Sequence, residues 1–317
     1  MTSPGLAVVA VGGNSLIRDK AHQSIPDQYQ ALVETAGHIA DLVEAGWQVV
    51  VTHGNGPQVG FVLLRSELAR SQVHPIPFDV AVADTQGHLG YHLQQTLHNE
   101  FCRRKLSKTA VALLTQVVVE ANDPAFQKPS KPIGPFFDEA EARRREREEG
   151  WDTAEDAGRG WRRVVASPRP REILEIEAVR AMLAAGYLVV AAGGGGIPVI
   201  SDELGVLTGV AAVVDKDSAS GLMARQLGAD LLVISTAVEK VCLHFGKPEQ
   251  QELDRITSQQ ARQYLQEGHF QAGSMGPKIE AVLAYLDAGG KRALITNPAN
   301  LKRALQGHTG THIAPSW

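Results

Sequence analysis

The sequence predicts an α/β fold, a mainly parallel sheet covered by helices on both faces, and three observations carry that prediction. Short apolar runs rich in Val, Ile and Leu alternate with stretches of helical periodicity, the rhythm of successive β-α units. Glycine-rich turns follow several of the runs, where a parallel strand hands over to the next element. With 317 residues, 44% hydrophobic and 21% charged, the chain has globular composition and length for a large core, which excludes disorder and collagen-like repeats.

Leu6–Val11 reads as the first strand, because an unbroken apolar run suits a strand buried on both faces. It also lacks a basic residue ahead of it, so a secretory signal is not expected. A helix follows. Asp27, after Pro26, is its candidate cap; Leu32, Ala36, Ile39 and Val43 recur at helical spacing; Gly46 ends it. Residues 47–53, 110–119, 187–192 and 230–235 and Arg292–Thr296 read as further strands. Residues 85–105, 173–185, 218–227, 277–288 and 298–305 and Ser258–Gln266 read as helices. The uncharged run 181–201 is long enough to span a bilayer, but Gly186, the glycines 193–196 and Pro198 would break a spanning helix. It reads instead as a helix end, a buried strand and a loop.

Between residues 122 and 170 the rhythm fails. Pro124, Pro129, Pro132, Pro135 and Pro168 interrupt it, and ten of the twelve residues 138–149 are charged, six acids and four arginines. The charge run reads as a solvated helix with opposite charges one turn apart. Residues 123–167 as a whole read as an inserted lid subdomain within a single domain spanning 1–317, since long excursions from a compact α/β core often cover the site.

Charge and cysteine content narrow the function. Lys plus Arg is 31 and Asp plus Glu 35, a net charge of −4 that offers no general field for a nucleic-acid backbone. Cys102 and Cys242 stand far apart without neighbouring cysteines, which argues against a disulfide scaffold or a cysteine zinc site and for reduced thiols in a cytoplasmic protein.

Four glycine-rich turns lie at predicted strand ends or helix entries: Gly12 and Gly13 with Asn14; Gly54, Asn55 and Gly56; the glycines 193–196; and Gly273 with Gly276. Backbone N–H groups and helix N-termini in such turns hold anions, phosphate above all. The segment 53–60 compares poorly with a dinucleotide fingerprint: Gly54, Gly56 and Gly60 have one residue too many and no acid closes the next strand. Gly246 and Lys247 are followed by Pro248, which lacks the hydroxyl of a P-loop.

Three lysines stand where the chain bends. Lys216 lies between Asp215 and Asp217 just before a helix, where it can follow a transferring phosphoryl group while Asp217 caps the helix and orients the ammonium. Lys278 follows Gly276 and Pro277 at a helix start, an unfavourable place for a cation unless an anion binds there. Lys131, between Pro129 and Pro132, is presented from a stiff segment at the base of the insertion. His88 and His92 are four apart on a helix without the Glu of a zinc-protease motif, and Ser15, Ser218 and Ser274 show no histidine partner, so metalloprotease and triad chemistry lack support.

These residues resemble the carbamate kinases of the amino-acid-kinase superfamily. The matching stretches are 10–14 (AVGGN), 53–58 (HGNGPQ), 114–118 (LTQVV), 131–135 (KPIGP), 156–162 (DAGRGWR), 193–198 (GGGGIP), 215–217 (DKD) and 273–278 (GSMGPK), in family order along nearly the whole chain. Val11 stands where leucine is usual, Ala211 where a glutamate is common, and 235–239 varies the nucleotide-side loop. The resemblance implies a three-layer α/β/α sandwich, a homodimer, and reversible phosphoryl transfer between ATP and carbamate, ADP and carbamoyl phosphate being the reverse pair, with Mg²⁺ carried by the nucleotide. By the same match Gly12, Gly13, Asn14, Gly54 and Asn55 line the carbamate side, in a half spanning about 1–209. Lys131 enters from the lid. Lys216 and Lys278 contact the phosphates and Asp217 holds them in place. Thr236, Val238, Val241 and Met275 belong to the nucleotide side, in a half spanning about 210–317. A same-fold kinase of another small carboxylate or carbamate, and a non-catalytic nucleotide-binding member, remain as alternatives.

Overall fold

The computed structural model describes residues 5–13, 16, 17, 19, 21–155, 160–271 and 274–317. The chain runs β1 (Leu6–Val11), α1 (Ile25–Glu44), β2 (Gln48–His53), α2 (Gly56–Leu68), α3 (Phe78–Arg104), β3 (Ala110–Ala112) and β4 (Gln116–Val119). It then forms β5 (Lys131–Phe137), α4 (Glu139–Glu149), β6 (Asp152–Glu155), β7 (Trp161–Val165), β8 (Pro170–Ile173), α5 (Ile176–Ala184), β9 (Leu188–Val190), β10 (Ile197–Ser201) and β11 (Leu207–Gly209). The last third holds α6 (Lys216–Leu227), β12 (Leu231–Ser235), β13 (Val241–Leu243), β14 (Gln251–Leu253), β15 (Arg255–Thr257), α7 (Ser258–Gln266), α8 (Met275–Asp287), β16 (Arg292–Thr296), α9 (Leu301–Leu305) and β17 (Thr311–Ala314).

Eight strands form the large sheet in the order β15-β17-β16-β12-β1-β2-β9-β3, parallel throughout except where β16 meets β17. The period of two along a strand divides its core. Val8 and Ala10 of β1 join Met223 of α6 and Ile279 and Val282 of α8 on one face. Ala7, Val9 and Val11 join Leu32 and Ile39 of α1 and Leu89, Leu93 and Leu97 of α3 on the other. That two-sided burial is why β1 reads as an unbroken apolar run, and it makes the three-layer α/β/α sandwich. The chain passes from β1 to β2 on one side and returns at β12 on the other, so a topological switch point opens beside the carboxyl end of β1. Among the described residues no helix is long and apolar enough to cross a membrane.

Several boundaries differ from the sequence reading for physical reasons. Ser24, not Asp27, caps α1: its side chain accepts from the Asp27 N–H while the Asp27 carboxylate accepts from the Ser24 N–H, a capping box. The strand expected over 110–119 is two strands in two sheets, because the chain leaves β3 in the large sheet for β4 in a four-stranded sheet ordered β11-β10-β4-β8. The loop expected at the end of the run 181–201 contains β10, which pairs with β4. The helix expected from 173 begins at Ile176, because Pro170–Ile173 forms β8 against β4. Helix α3 starts earlier than expected, at Phe78, and α8 starts at Met275, which makes Pro277 its third residue. That position still lies among the first four N–H groups without an intrahelical acceptor.

The proline-rich and charged stretch builds a separate three-stranded antiparallel sheet, β5-β7-β6, with α4 packed on it. Asp138 caps α4 and Gly150 ends it at a left-handed φ of 66°. Its ion pairs are one turn apart, as expected: Arg143 with Glu139, Arg144 with Glu148, and Arg145 with Glu141 and Glu149. Full solvation was expected for this helix, yet Arg145 is buried, its guanidinium over the Trp151 and Phe137 rings and paired with Glu67 of α2. A second pair, Arg70 with Glu149 at 2.9 Å, joins the turn just after α2 to the same helix. Ile133 and Val165 add apolar contact with Val59, Phe78 and Val82. Arg145→Ala leaves three carboxylates facing one another, so it should weaken the docking of 131–165 by about 3 kcal/mol. Hydrogen exchange should then show protection lost across 131–165 and unchanged in the large sheet; unchanged protection in both would refute the role given to Arg145.

Candidate active site

Parallel register brings the carboxyl ends of β1, β2 and β12 side by side: Val11 pairs with His53 and Ala10 with Ile234. The turn after β1 must pass close to β12. A Cβ on Gly12 would stand 2.6 Å from the Ser235 carbonyl oxygen, so only glycine fits. Gly54 lies beside the Gly13 nitrogen and the Lys216 side chain, each 3.9 Å from where its Cβ would be. Asn14 lies outside the described residues, as does Gly273.

Helix α6 begins at Lys216, two residues earlier than expected, and its cap is Asp215, whose carboxylate accepts from the Ser218 N–H at 3.0 Å. Asp217 therefore does not cap the helix. Its carboxylate is buried and meets both lysines: Oδ1 lies 2.7 Å from Lys216 Nζ, and Oδ2 accepts a hydrogen bond from Lys278 Nζ at 2.8 Å. Burial pushes the Asp217 carboxyl up, but the two ammonium charges outweigh it and hold the group below the ordinary carboxylate range. The Lys216 contact is an ion pair without hydrogen-bond angles, and Lys216 Nζ has no acceptor among the described residues. Two cations at two helix N-termini, sharing one anion, leave net positive charge where backbone N–H groups also point. Helices α6 and α8 can meet this closely because a Cβ on Gly221 would reach within 2.9 Å of the Ala281 carbonyl oxygen.

Asn55 caps no N–H by its side chain; its Nδ2 donates to Thr85 Oγ1 of α3 at 2.8 Å. It lies against the glycine turn after β9, where a Cβ on Gly194 would fall 2.1 Å from Asn55 Nδ2. Ala192, Gly194, Gly195 and Gly196 all take positive φ, and at Ala192, φ 50°, this is backbone strain. Asn55, Gly194 and Lys131 line one cavity of ≈ 70 Å³ between the large sheet and β5. A larger cavity of ≈ 450 Å³ lies beyond β12, lined by Thr236, Val238 and Met275 together with Lys240, His244 and Phe245. Val241 does not line it. Its side chain is buried in the core and its N–H donates to Thr311 Oγ1, because β13 runs beneath the cavity wall.

The structure also brings in residues that the sequence reading passed over. His53 is buried at the end of β2, its Nδ1 2.9 Å from the Gly54 carbonyl oxygen, and burial with the nearby Lys216 charge lowers its pKa to about 4. Thr52 and Ser220 hydroxyls meet at 2.6 Å, and Ser220 donates to the Lys216 carbonyl, which ties β2 to the first turn of α6. The HGNGPQ motif marked His53 as local, but nothing in spacing said that its ring would be neutral.

The fold and this site define a phosphoryl-transfer protein. The sequence profile of the amino acid kinase family matches residues 5–297, and the chain belongs to that family. Within it, the chain is 50% identical over 311 residues to the carbamate kinase-like protein YahI of Escherichia coli, covering 97% of this chain and 98% of that one. It is 44% identical to the carbamate kinase of Pyrococcus horikoshii, covering 98% and 100%. The carbamate kinase of Giardia lamblia bound to AMP-PNP superposes with a TM-score of 0.95 at 38% identity, covering 99% of each chain.

His53 makes stability depend on pH. In the unfolded chain its pKa returns to 6.5, so between 6.5 and about 4 the unfolded state binds the extra proton. Stability is full above 6.5 and is lost as pH falls toward 4, by about 3 kcal/mol in all for this buried ring. Urea melts of wild type and His53→Gln across that window should differ by this slope; parallel curves would show that His53 is not held neutral.

Proposed function

We propose that this protein is a carbamate kinase, transferring phosphoryl reversibly between ATP and carbamate. The observation that carries the reading is the buried Asp217 pairing with Lys216 and Lys278 at two helix N-termini beside the switch point. The larger cavity has a volume suited to a nucleoside, and the smaller admits only a few heavy atoms. Carbamate already bears an oxyanion and needs no base. Its oxygen forms the new P–O bond as the bond from the γ-phosphorus to the ADP oxygen breaks, so the protein must align two anions and neutralise spreading charge. Lys216 serves the transferring group, Lys278 the nucleotide phosphates, and the turns at Gly12, Gly13, Gly54 and Asn55 the acceptor side.

The proposal takes Mg²⁺ in with the nucleotide, as part of the substrate, and leaves both Asp217 oxygens to the lysines they face. The proposal includes a homodimer, since Leu204, Val206 and Leu207 on the β10–β11 hairpin and Leu114 beside β4 expose apolar surface that a second copy would cover. It also includes a cytoplasmic setting, in keeping with Cys102 and Cys242 as free thiols. The likeness to YahI, a carbamate kinase-like protein, favours a second reading, transfer to a different small carbamate or carboxylate on the same phosphate machinery.

ATP formation from ADP and carbamoyl phosphate by the purified protein tests the first reading; ATP from acetyl phosphate but not carbamoyl phosphate would select the second. Lys216→Ala should lower turnover at least about a hundredfold with the fold intact, and Lys216→Arg should rescue poorly, its planar fork replacing a compact ammonium. Near-normal turnover in the alanine variant would remove Lys216 from the mechanism. Lys131 is exposed at the edge of the smaller cavity, so Lys131→Ala should raise KM for carbamoyl phosphate far more than KM for ADP. Equal changes in both constants would contradict its place on the acceptor side.

A further inference from the structure

The acceptor-side turns are held from behind by two adjacent residues of α3 that the phosphoryl-transfer machinery does not use. Thr85 receives Asn55 Nδ2 at 2.8 Å and passes its own proton to the Val82 carbonyl at 2.7 Å, which orients the Asn55 amide. Gln86, buried, uses its whole amide on backbone. Its Nε2 donates to the Gly193 carbonyl at 2.9 Å and to the Thr115 carbonyl at 3.2 Å, and its Oε1 accepts from the Thr115 N–H at 2.9 Å.

Those partners lie where the chain passes from the large sheet into the four-stranded one. Thr115 lies between β3 and β4, and Gly193 opens the turn between β9 and β10. Thr115 links them further: its hydroxyl accepts from the Ala192 N–H, and its carbonyl accepts from the Ile197 N–H. The turn so held contains the strained Ala192 and three glycines with positive φ, conformations that persist only when surrounding contacts over-determine them. Gly194 within it lies against Asn55, the residue that Thr85 holds.

We propose that Gln86 is a positioning residue for the phosphoryl acceptor: with Thr85 it sets the distance between Asn55 and the 193–196 turn, both of which line the smaller cavity. The inference rests on the carbamate kinase reading. Gln86 touches neither the larger cavity nor the lysine pair, so its effect falls on one substrate only.

Gln86→Glu keeps size and the acceptor to the Thr115 N–H but turns a carboxylate toward two carbonyl oxygens, and Gln86→Met keeps volume without polar atoms. Each should raise KM for carbamoyl phosphate at least about tenfold while KM for ADP stays within about twofold, and Thr85→Val should show the same split. Unchanged constants, or equal rises for both substrates, would overturn the assignment, since a merely structural residue moves both or neither. If Gln86→Glu fails to fold, Gln86→Met answers the same question. Wild-type protein that makes no ATP from carbamoyl phosphate would instead overturn the reading on which this rests, an outcome visible before any variant is measured.

Discussion

Asp217 is a carboxylate taken out of water, and the ends of two helices are arranged around the cost of doing so. Alone it would take up a proton; with Lys216 and Lys278 at 2.7 and 2.8 Å it stays ionised. The same pairing allows lysines to sit in the first turns of α6 and α8, where the helix dipoles repel cations. One negative charge thus stabilises two positive charges incompletely, and the remaining deficit suits a phosphate. The close approach of α6 to α8 at Gly221 keeps the three groups in register.

The parallel sheet supplies the second constraint. Because β12, β1, β2 and β9 run the same way, their carboxyl ends share one edge, and every chain reversal there exposes backbone N–H groups to the same space. Crowding at that edge explains the glycines better than flexibility does: the turn after β1 passes against Ser235, and the turn after β9 passes against Asn55. The turn after β9 is strained at Ala192 and needs anchors, and α3 provides them through Gln86 on Gly193 and Thr85 on Asn55.

The inserted sheet reaches the smaller cavity by another route. Prolines at 132 and 135 stiffen β5, and Ile133 seats it in a small apolar cluster, while Arg145 binds the helix behind it to α2 and Arg70 binds it to the turn that follows α2. Helix α2 starts at Gly56, directly after Asn55, so the insertion is docked on the element that continues from the turn after β2. The insertion also meets the site directly, since Lys131, Pro132 and Ile133 line the same small cavity as Asn55.

The sequence alone specified the strands that are covered on both faces, because two-sided burial leaves a run of apolar residues along the strand's centre; Leu6–Val11 and Arg292–Thr296 lie where that pattern places them. It also marked Lys216, set between two aspartates where the chain bends, and Lys278, since a cation at a helix start conflicts with the dipole and asks for an anion. Short strands such as β11, β13, β14, β15 and β17 escaped it, being three or four residues long and stabilised by neighbours distant in sequence. The break between β3 and β4 escaped it too, as an apolar run carries no sign of a change of sheet. Residue spacing could not bring Asp217 to Lys278, 61 positions away, and only the family resemblance joined them; tertiary structure alone decided that Asp215 rather than Asp217 would cap α6 and that Val241 would face the core. Gln86 is the clearest case: it has the composition of a helix surface residue, and only the docking of Gly193, 107 positions later, buries its amide and gives it backbone partners.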